Sequence, residues 1–430
     1  MNYRMRRLMA GMIALAAGIM LITIEAGAQQ ATDAPRAAAT LVWPNTESKA
    51  NSDDWIRLHH SEIRQMQPRV LVLNFVNGLS TDEAKRKVDR LIAAVKESSR
   101  YHGYKNANAP AFLDYQLYKI VDLTDPQQLP EAARMDGNST KYPRVPDWKE
   151  GLNFRYDALF SDEYARMYQV PDPDSPARFL TLSEMVNKGI IHEVWFLALQ
   201  GKYGAPLESV EVKQAYDRNM RKIPGRSVQA GNGGTDEQPF IGRSLRILFI
   251  NSERGPGCAM ESLGHSLEGT SNSNAIPYFT RYFTEYAGFD LKKRYHLPFD
   301  SLYGRDGNEF DYPDKDTMVY TWKGEKISVH PYIPIGGSVH FMPTARRDYD
   351  LDNSEVVLST IEHYRLRDGL DGNDKPEEWY ADKFRRYRQL ANDCQGPWVV
   401  YWRQNMPGLD NPCKDDNGKP MLNWWPFLFY

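Results

Sequence analysis

The stretch Arg69–Val76, RVLVLNFV, is a short run of β-branched and other apolar residues, and it predicts a buried strand. Ser80 follows as an N-cap, after which Ala84, Val88, Leu91, Ile92 and Val95 recur at helical spacing across Thr81–Ser99. Tyr115–Val121 (YQLYKIV) reads as the next strand. Strand, helix and strand within about fifty residues form the crossover unit of a sheet with parallel pairs.

The pattern recurs further along. Leu180–Asn187 predicts a helix ahead of the strand Ile190–Leu199 (IIHEVWFLAL), and Leu245–Asn251 (LRILFIN) predicts a strand ahead of the helix Cys258–Leu267. The expected fold class is therefore α/β: a mixed, mainly parallel sheet flanked by helices over residues 66–345, its ligand site beyond the carboxyl ends of the strands. Residues 229–238 and 305–315 read as surface loops. Residues 346–430 are expected to form a helical, aromatic-rich C-terminal extension, with helices at Glu355–Leu366 and Glu377–Leu390. Trp398, Trp402, Trp424, Trp425 and Tyr430 would wrap onto the core.

The chain has 430 residues, 53 Lys and Arg against 56 Asp and Glu, and is 41% hydrophobic, which describes a folded protein and excludes a disordered one. Near-neutral charge without a basic stripe also excludes the electrostatic footprint of a nucleic-acid binder. At the N-terminus, Arg4, Arg6 and Arg7 precede an apolar run from Leu8 to Ile24 and an A-x-A ending at Ala26 and Ala28. This is the three-part pattern of a signal peptide over residues 1–28, cleaved after Ala28. Three Arg and Glu25 leave with it, taking 53 and 56 to 50 basic and 55 acidic residues, net −5. Residues 29–65, rich in Ala, Thr, Ser, Asp and Pro, read as a flexible N-terminal segment. The expected location is secreted or periplasmic, without membrane contact beyond the signal peptide.

Export permits disulfides. Of the three cysteines, Cys394 and Cys413 flank a Gly- and Pro-containing loop and are the expected pair, leaving Cys258 as a free thiol before a helix.

The densest reactive cluster is residues 253–269. If the segment is helical, Glu261, His265 and Glu268 project from one face. A His and a Glu three apart can share a metal ion, and zinc takes imidazole and carboxylate at such spacing. His340, within Gly336–Phe341 (GGSVHF), supplies a third ligand from a glycine-rich approach. The expected metal set is His265, Glu268 and His340, with Glu193 as general base, Glu253 beside it, and Arg254 binding a substrate carboxylate or polarising a carbonyl.

Other chemistries compete for these residues. Residues 264–269 (GHSLEG) approach the G-x-S-x-G elbow of a serine hydrolase, but Glu268 occupies a position where helix and strand must pack tightly. Glu193, Glu253, Glu261 and Glu268 could serve a glycosidase, which requires two carboxyls about 5–9 Å apart. Asp348, Asp350 and Asp352 open like a calcium loop, but Ser359 stands where an EF-hand needs Glu, so calcium has the weaker claim and zinc the stronger.

His265-x-x-Glu268 followed by a remote His340 is similar to the ligand pattern of funnelin-type zinc carboxypeptidases. That likeness implies these three as ligands with a fourth position for water. Over residues 66–355, the order Glu193-Val194-Trp195, Asn251-Ser252-Glu253-Arg254-Gly255, Gly264-His265-x-x-Glu268 and Gly337-Ser338-Val339-His340-Phe341-x-Pro343 resembles a group of uncharacterised secreted bacterial proteins. Its members read approximately DEVW, NYERG, GHRxE and GNVHFPPN. This chain departs at His192, Ser252 and Ser266, where the group has Asp, Tyr and Arg. The resemblance implies no activity. It places the same Glu, Arg and His positions in one list.

The expectation is an exported metal-assisted hydrolase acting on peptide or cell-envelope amide bonds. A carboxylate-based glycosidase and a non-catalytic envelope or carbohydrate-binding protein are the alternatives. The partner is a small-molecule, peptide or glycan substrate.

Overall fold

A computed structural model describes residues 41–430 except 49–51, 131–136, 145–153, 201–205, 233–236 and 304–309. The signal-peptide reading of residues 1–28 lies outside the described residues.

The chain first runs through β1 (Leu41–Trp43), α1 (Ser52–Leu58) and β2 (Ile63–Met66), then β3 (Arg69–Asn74), α2 (Thr81–Ser98) and β4 (Gln116–Asp122). The segment expected to be flexible is thus structured at residues 41–48 and from Ser52 on. β1 pairs in parallel with β2, and Trp43 and Ile56 are buried in the core, burial that a composition rich in small polar residues does not announce. Ser80 caps α2 as expected, in a reciprocal box with Glu83, and Ala84, Val88, Leu91 and Val95 form its buried face.

Next come α3 (Asp162–Tyr168), the hairpin β5 (Pro171–Asp172) and β6 (Ser175–Phe179), α4 (Leu182–Asn187), β7 (Glu193–Ala198), β8 (Ser209–Tyr216), β9 (Lys222–Gln229) and β10 (Leu245–Asn251). The central sheet has six strands in the order β4-β3-β7-β10-β8-β9. β4, β3, β7 and β10 run parallel, whereas β8 and β9 pair antiparallel. The sheet is mixed, as the sequence reading expected; its parallel part is the four strands β4, β3, β7 and β10, and the antiparallel hairpin β8–β9 closes one side. Alternation along the strands divides the core. Val70, Val72, Trp195, Leu197 and Leu248 face one layer, while Leu71, Leu73, Val194, Phe196 and Ile247 face the other.

Beyond β10 lie α5 (Pro256–Asn272), α6 (Pro277–Tyr286), α7 (Leu291–Tyr295) and the meander β11 (Phe310–Asp314), β12 (Thr317–Trp322) and β13 (Glu325–Val329). The C-terminal part holds β14 (Val357–Ser359), β15 (Glu377–Trp379), α8 (Asp382–Arg385) and α9 (Gly396–Gln404). The helices expected at Glu355–Leu366 and Glu377–Leu390 are replaced by the short strands β14 and β15 and by brief helical turns. The aromatic expectation holds: Trp398, Trp402, Trp424, Trp425 and Tyr430 are all buried. α9 packs against α2 and α5, so the extension belongs to the same core as the sheet.

α5 is the pivot of the fold and is buried along most of its length. Gly264 makes this packing feasible, since a Cβ there would lie 2.6 Å from a methyl of Val339. Beneath α5 lies a buried ionic layer. Glu193 pairs with Arg246, Lys213 sits 3.0 Å from Glu211, and the Ser266 hydroxyl donates to Glu211 at 2.8 Å. No helix among the described residues is long and apolar enough to cross a membrane.

The cysteine pairing differs from the expectation. Cys258 is bridged to Cys394, with Cα atoms 4.9 Å apart, and Cys413 is the buried free thiol. Tertiary structure reverses the sequence-local choice because the turn before α9 docks on the start of α5. There Asp393 accepts from Gly255 N at 2.6 Å and from Gly257 N at 2.8 Å. Cys413 faces Tyr101 instead, and burial pushes its thiol up to about 12.

Candidate metal centre

Helical spacing sets Glu261, His265 and Glu268 on one face of α5, and the turn at residues 336–341 brings His340 to that face. Two glycines make the turn feasible. Gly337 has φ +67°, and a Cβ on Gly336 would press into the ring of Tyr286. The turn is held from α9, where the indoles of Trp398 and Trp402 donate to the carbonyls of Ser338 and Gly337, each at 2.9 Å. The aromatic C-terminus therefore positions a site residue as well as filling the core.

His265 Nε2 and His340 Nε2 lie 3.0 Å apart. Glu261 Oε1 is 2.9 Å from the His340 nitrogen and 3.9 Å from that of His265. The opposite edge of each ring is held by a carboxylate: His265 Nδ1 is 2.8 Å from Glu268 Oε2, and His340 Nδ1 is 2.9 Å from Asp348 Oδ1. Rings whose Nδ1–H groups donate to those carboxylates are left with two Nε2 lone pairs converging beside a third, anionic donor. Such a convergence calls for a proton or a cation between the rings. Two nitrogens about 2.1 Å from one zinc ion stand about 3.0–3.5 Å apart. Glu261, His265 and His340 thus form a group that could hold a metal ion.

The electrostatics agree with a site built for positive charge. Burial opposes an imidazolium at His265, but hydrogen bonding to Glu268 and the charges of Glu268, Glu208 and Glu261 outweigh it, holding the pKa above its ordinary value. Burial likewise opposes a carboxylate at Glu261, and hydrogen bonding to His340, where a proton occupies its Nε2, and from Tyr349 overcomes it, so that pKa falls. The Tyr349 hydroxyl donates to Glu261 Oε1 and its ring lies 4.3 Å from the His340 ring. Its backbone sits at φ +57°, a region that non-glycine residues rarely occupy.

Glu268 takes a different place from the one expected. One of its oxygens accepts from Val339 N at 2.9 Å, Tyr303 donates to both, and the other faces His265 Nδ1. It orients an imidazole, and Glu261 is the carboxylate that meets the two Nε2 atoms. Glu193 is buried in contact with Tyr115, Trp195 and Arg246, sealed within the ionic layer. Register also separates it from Glu253. Glu193 pairs with Arg246 at the start of β10, and Glu253 lies beyond the end of that strand, so the two are about 20 Å apart at strand rise. They cannot act together as glycosidase carboxyls. Ser266 is fully buried and bonded to Glu211 and Arg246, which removes it as a nucleophile. The calcium reading dissolves as well: Asp348 serves His340, Asp350 serves Arg346 and Asn353, and Asp352 serves Arg388.

Glu261 opens onto a pocket of about 330 Å³ at the carboxyl ends of β7 and β10, where the strand pattern placed a ligand site. Glu208, Asn251, Arg254, Tyr349 and the Cys258–Cys394 bridge line it. Arg254 is exposed, and Glu253 next to it is exposed too. A second cleft of about 460 Å³ lies on the other side, with His265, Glu268, Asn232, Asp300 and Tyr303 on its walls.

Sequence reasoning missed Glu208, Tyr303 and Tyr349 and read Asp348 only as part of a calcium-like loop; these residues come from three separate segments with no spacing signal that ties them to α5. The role of Glu261 was within reach, because Glu261 and His265 at i and i+4 are themselves at ligand spacing. No protein-family model matches the chain, and no curated protein is significantly similar to it.

Proposed function

We propose that this protein is an exported zinc-dependent hydrolase acting on peptide or cell-envelope amide bonds, with the ion held by Glu261, His265 and His340. The single observation that carries the reading is the 3.0 Å convergence of two Nε2 atoms beside a carboxylate, with both Nδ1 atoms already committed to Glu268 and Asp348. Export is supported by the signal-like residues 1–28 and by the Cys258–Cys394 bridge.

Three protein donors leave a position for substrate, and bound zinc supplies Lewis acidity for a carbonyl and lowers the pKa of water. The other roles fall to the pocket. Glu208, whose charge acts on both His265 and Tyr349, is the proton acceptor in place of Glu193. Arg254 has no ion-pair partner among the described residues and holds an anionic group of the substrate. Tyr349 directs its phenol toward the Glu261 carboxylate, where it can donate to a developing oxyanion.

The test is metal analysis of purified protein, followed by assay on dipeptides and peptidoglycan fragments. Zinc near one per chain, lost in His265→Ala/His340→Ala, together with amide hydrolysis lost in Glu208→Gln while the metal remains, supports the reading. A protein that takes up no divalent ion, or hydrolysis unchanged in the double variant, overturns it.

A further inference from the structure

The bridged pair Cys258 and Cys394 and the adjacent Asp393 form a second cluster whose ligand atoms all lie within 4.8 Å of one another. We propose that this cluster is a redox-gated cation site: closed while the bridge is formed, and on reduction able to hold one soft divalent ion between two thiolates and the Asp393 carboxylate.

Three observations beyond proximity support it. The Asp393 carboxylate is fixed independently of the bridge, because it accepts from Gly255 N at 2.6 Å and Gly257 N at 2.8 Å, and one of its oxygens sits 3.3 Å from Cys258 Sγ. The two cysteines come from separately anchored places, the first turn of α5 and the residue two before α9, so their backbones stay close when the covalent link opens. Finally, Cys258 and Cys394 both line the pocket of about 330 Å³ and are only partly buried, so a reductant and a hydrated ion can reach them. Thiolate pairs select zinc and cadmium over hard divalent cations, which defines the ligand class.

The chemistry balances with an external dithiol. The dithiol gives up two electrons and two protons and closes to a cyclic disulfide, while Cys258 and Cys394 each gain one electron and one proton. The incoming ion then displaces the two thiol protons to solvent. A hydrogen bond joins this cluster to the histidine centre. Gln395, the residue after Cys394, donates its backbone N–H to Glu261 Oε2 at 3.3 Å.

The test uses full-length His265→Ala/His340→Ala protein, so that the second site is read with the first disabled and its outcome is separate from that of the hydrolase proposal. The protein is reduced with a dithiol, desalted anaerobically and titrated with cadmium, following the sulfur-to-cadmium charge-transfer absorbance. The expected result is one cadmium per chain in the reduced form, at least tenfold weaker binding in the oxidised form, and loss of the band when Cys258→Ser/Cys394→Ser is added. Asp393→Asn should weaken cadmium binding while retaining the band, with far-ultraviolet circular dichroism checking that α5 remains folded. A reduced protein that shows no band, or a band that survives Cys258→Ser/Cys394→Ser and therefore arises from Cys413, overturns the proposal.

Discussion

Glu268→Gln distinguishes the ligand set proposed from the geometry, Glu261, His265 and His340, from the one the sequence suggested. The glutamine keeps a carbonyl oxygen that can still accept from Val339 N, now 2.9 Å from the carboxylate. Its amide nitrogen, however, can only donate, so the His265 Nδ1–H that now faces Glu268 Oε2 at 2.8 Å loses its acceptor. To recover a hydrogen bond the ring must move its proton to Nε2, the atom that meets His340 and Glu261, and this tautomer cannot bind a metal. Loss of such an orienting partner weakens metal affinity about 10–100-fold, or about 1.4–2.7 kcal/mol. Stoichiometry should stay at one ion per chain. Glu261→Gln removes the anionic donor itself and should weaken zinc more than Glu268→Gln does, and His265→Ala/His340→Ala with its Cys258–Cys394 bridge kept oxidised should lose this ion. Competition against a chromogenic chelator at neutral pH, with circular dichroism as a folding control, gives all four affinities. If Glu268→Gln loses as much affinity as Glu261→Gln, or more, Glu268 is a ligand and the assignment drawn from the geometry is wrong.

Three further outcomes follow from the same structure. Burial lowers the pKa of His60 to about 4 from an ordinary 6.5, so its contribution to stability is complete above the unfolded value and is lost as pH falls from 6.5 toward 4. The full loss is about 3 kcal/mol, and urea midpoints measured across that window should fall less steeply in His60→Gln; equal slopes would contradict it. Glu193→Gln strands the Arg246 guanidinium with Glu211 at 3.9 Å as its nearest remaining acid, and should cost about 3–5 kcal/mol in denaturant unfolding while leaving zinc affinity unchanged. A variant with lost metal affinity and undiminished stability would return Glu193 to the site. Gly264→Ala forces a Cβ to 2.6 Å from Val339 and should lower stability by about 1–3 kcal/mol and also weaken zinc, because Val339 neighbours His340; an unchanged zinc affinity would show that the turn yields without moving the ring.

Much of the fold was legible in the sequence, and the reasons are physical. β3, α2, β7, β10 and α5 announce themselves because a strand buried on both faces must be continuously apolar and a helix lying on a sheet must repeat its apolar residues every three or four positions, while β4, a half-exposed edge strand, shows itself by its mixture of apolar, aromatic and polar residues. The antiparallel hairpin β8–β9 escaped. β8 is buried over its whole length yet carries Glu211, Lys213 and Gln214; the two charges pair with each other along the strand and are completed by Ser266 and the Leu428 carbonyl, and the Gln214 amide donates to carbonyls of the neighbouring strand. A buried ionic layer hides a core strand from any reading that equates polarity with exposure.

Local sequence by itself determined which residues share a helix face: Glu261, His265 and Glu268 had to stand together once α5 formed, because helical pitch fixes that outcome without reference to the rest of the chain. Only tertiary structure decided which of the two glutamates meets the imidazoles, because that depends on where a turn about seventy residues later is set down by the indoles of Trp398 and Trp402. The same docking of the α9 region joined Cys394 to Cys258 in preference to its neighbour in sequence, Cys413. Pairings across such distances are fixed by the packing of whole elements, and neither spacing nor composition encodes them one residue at a time.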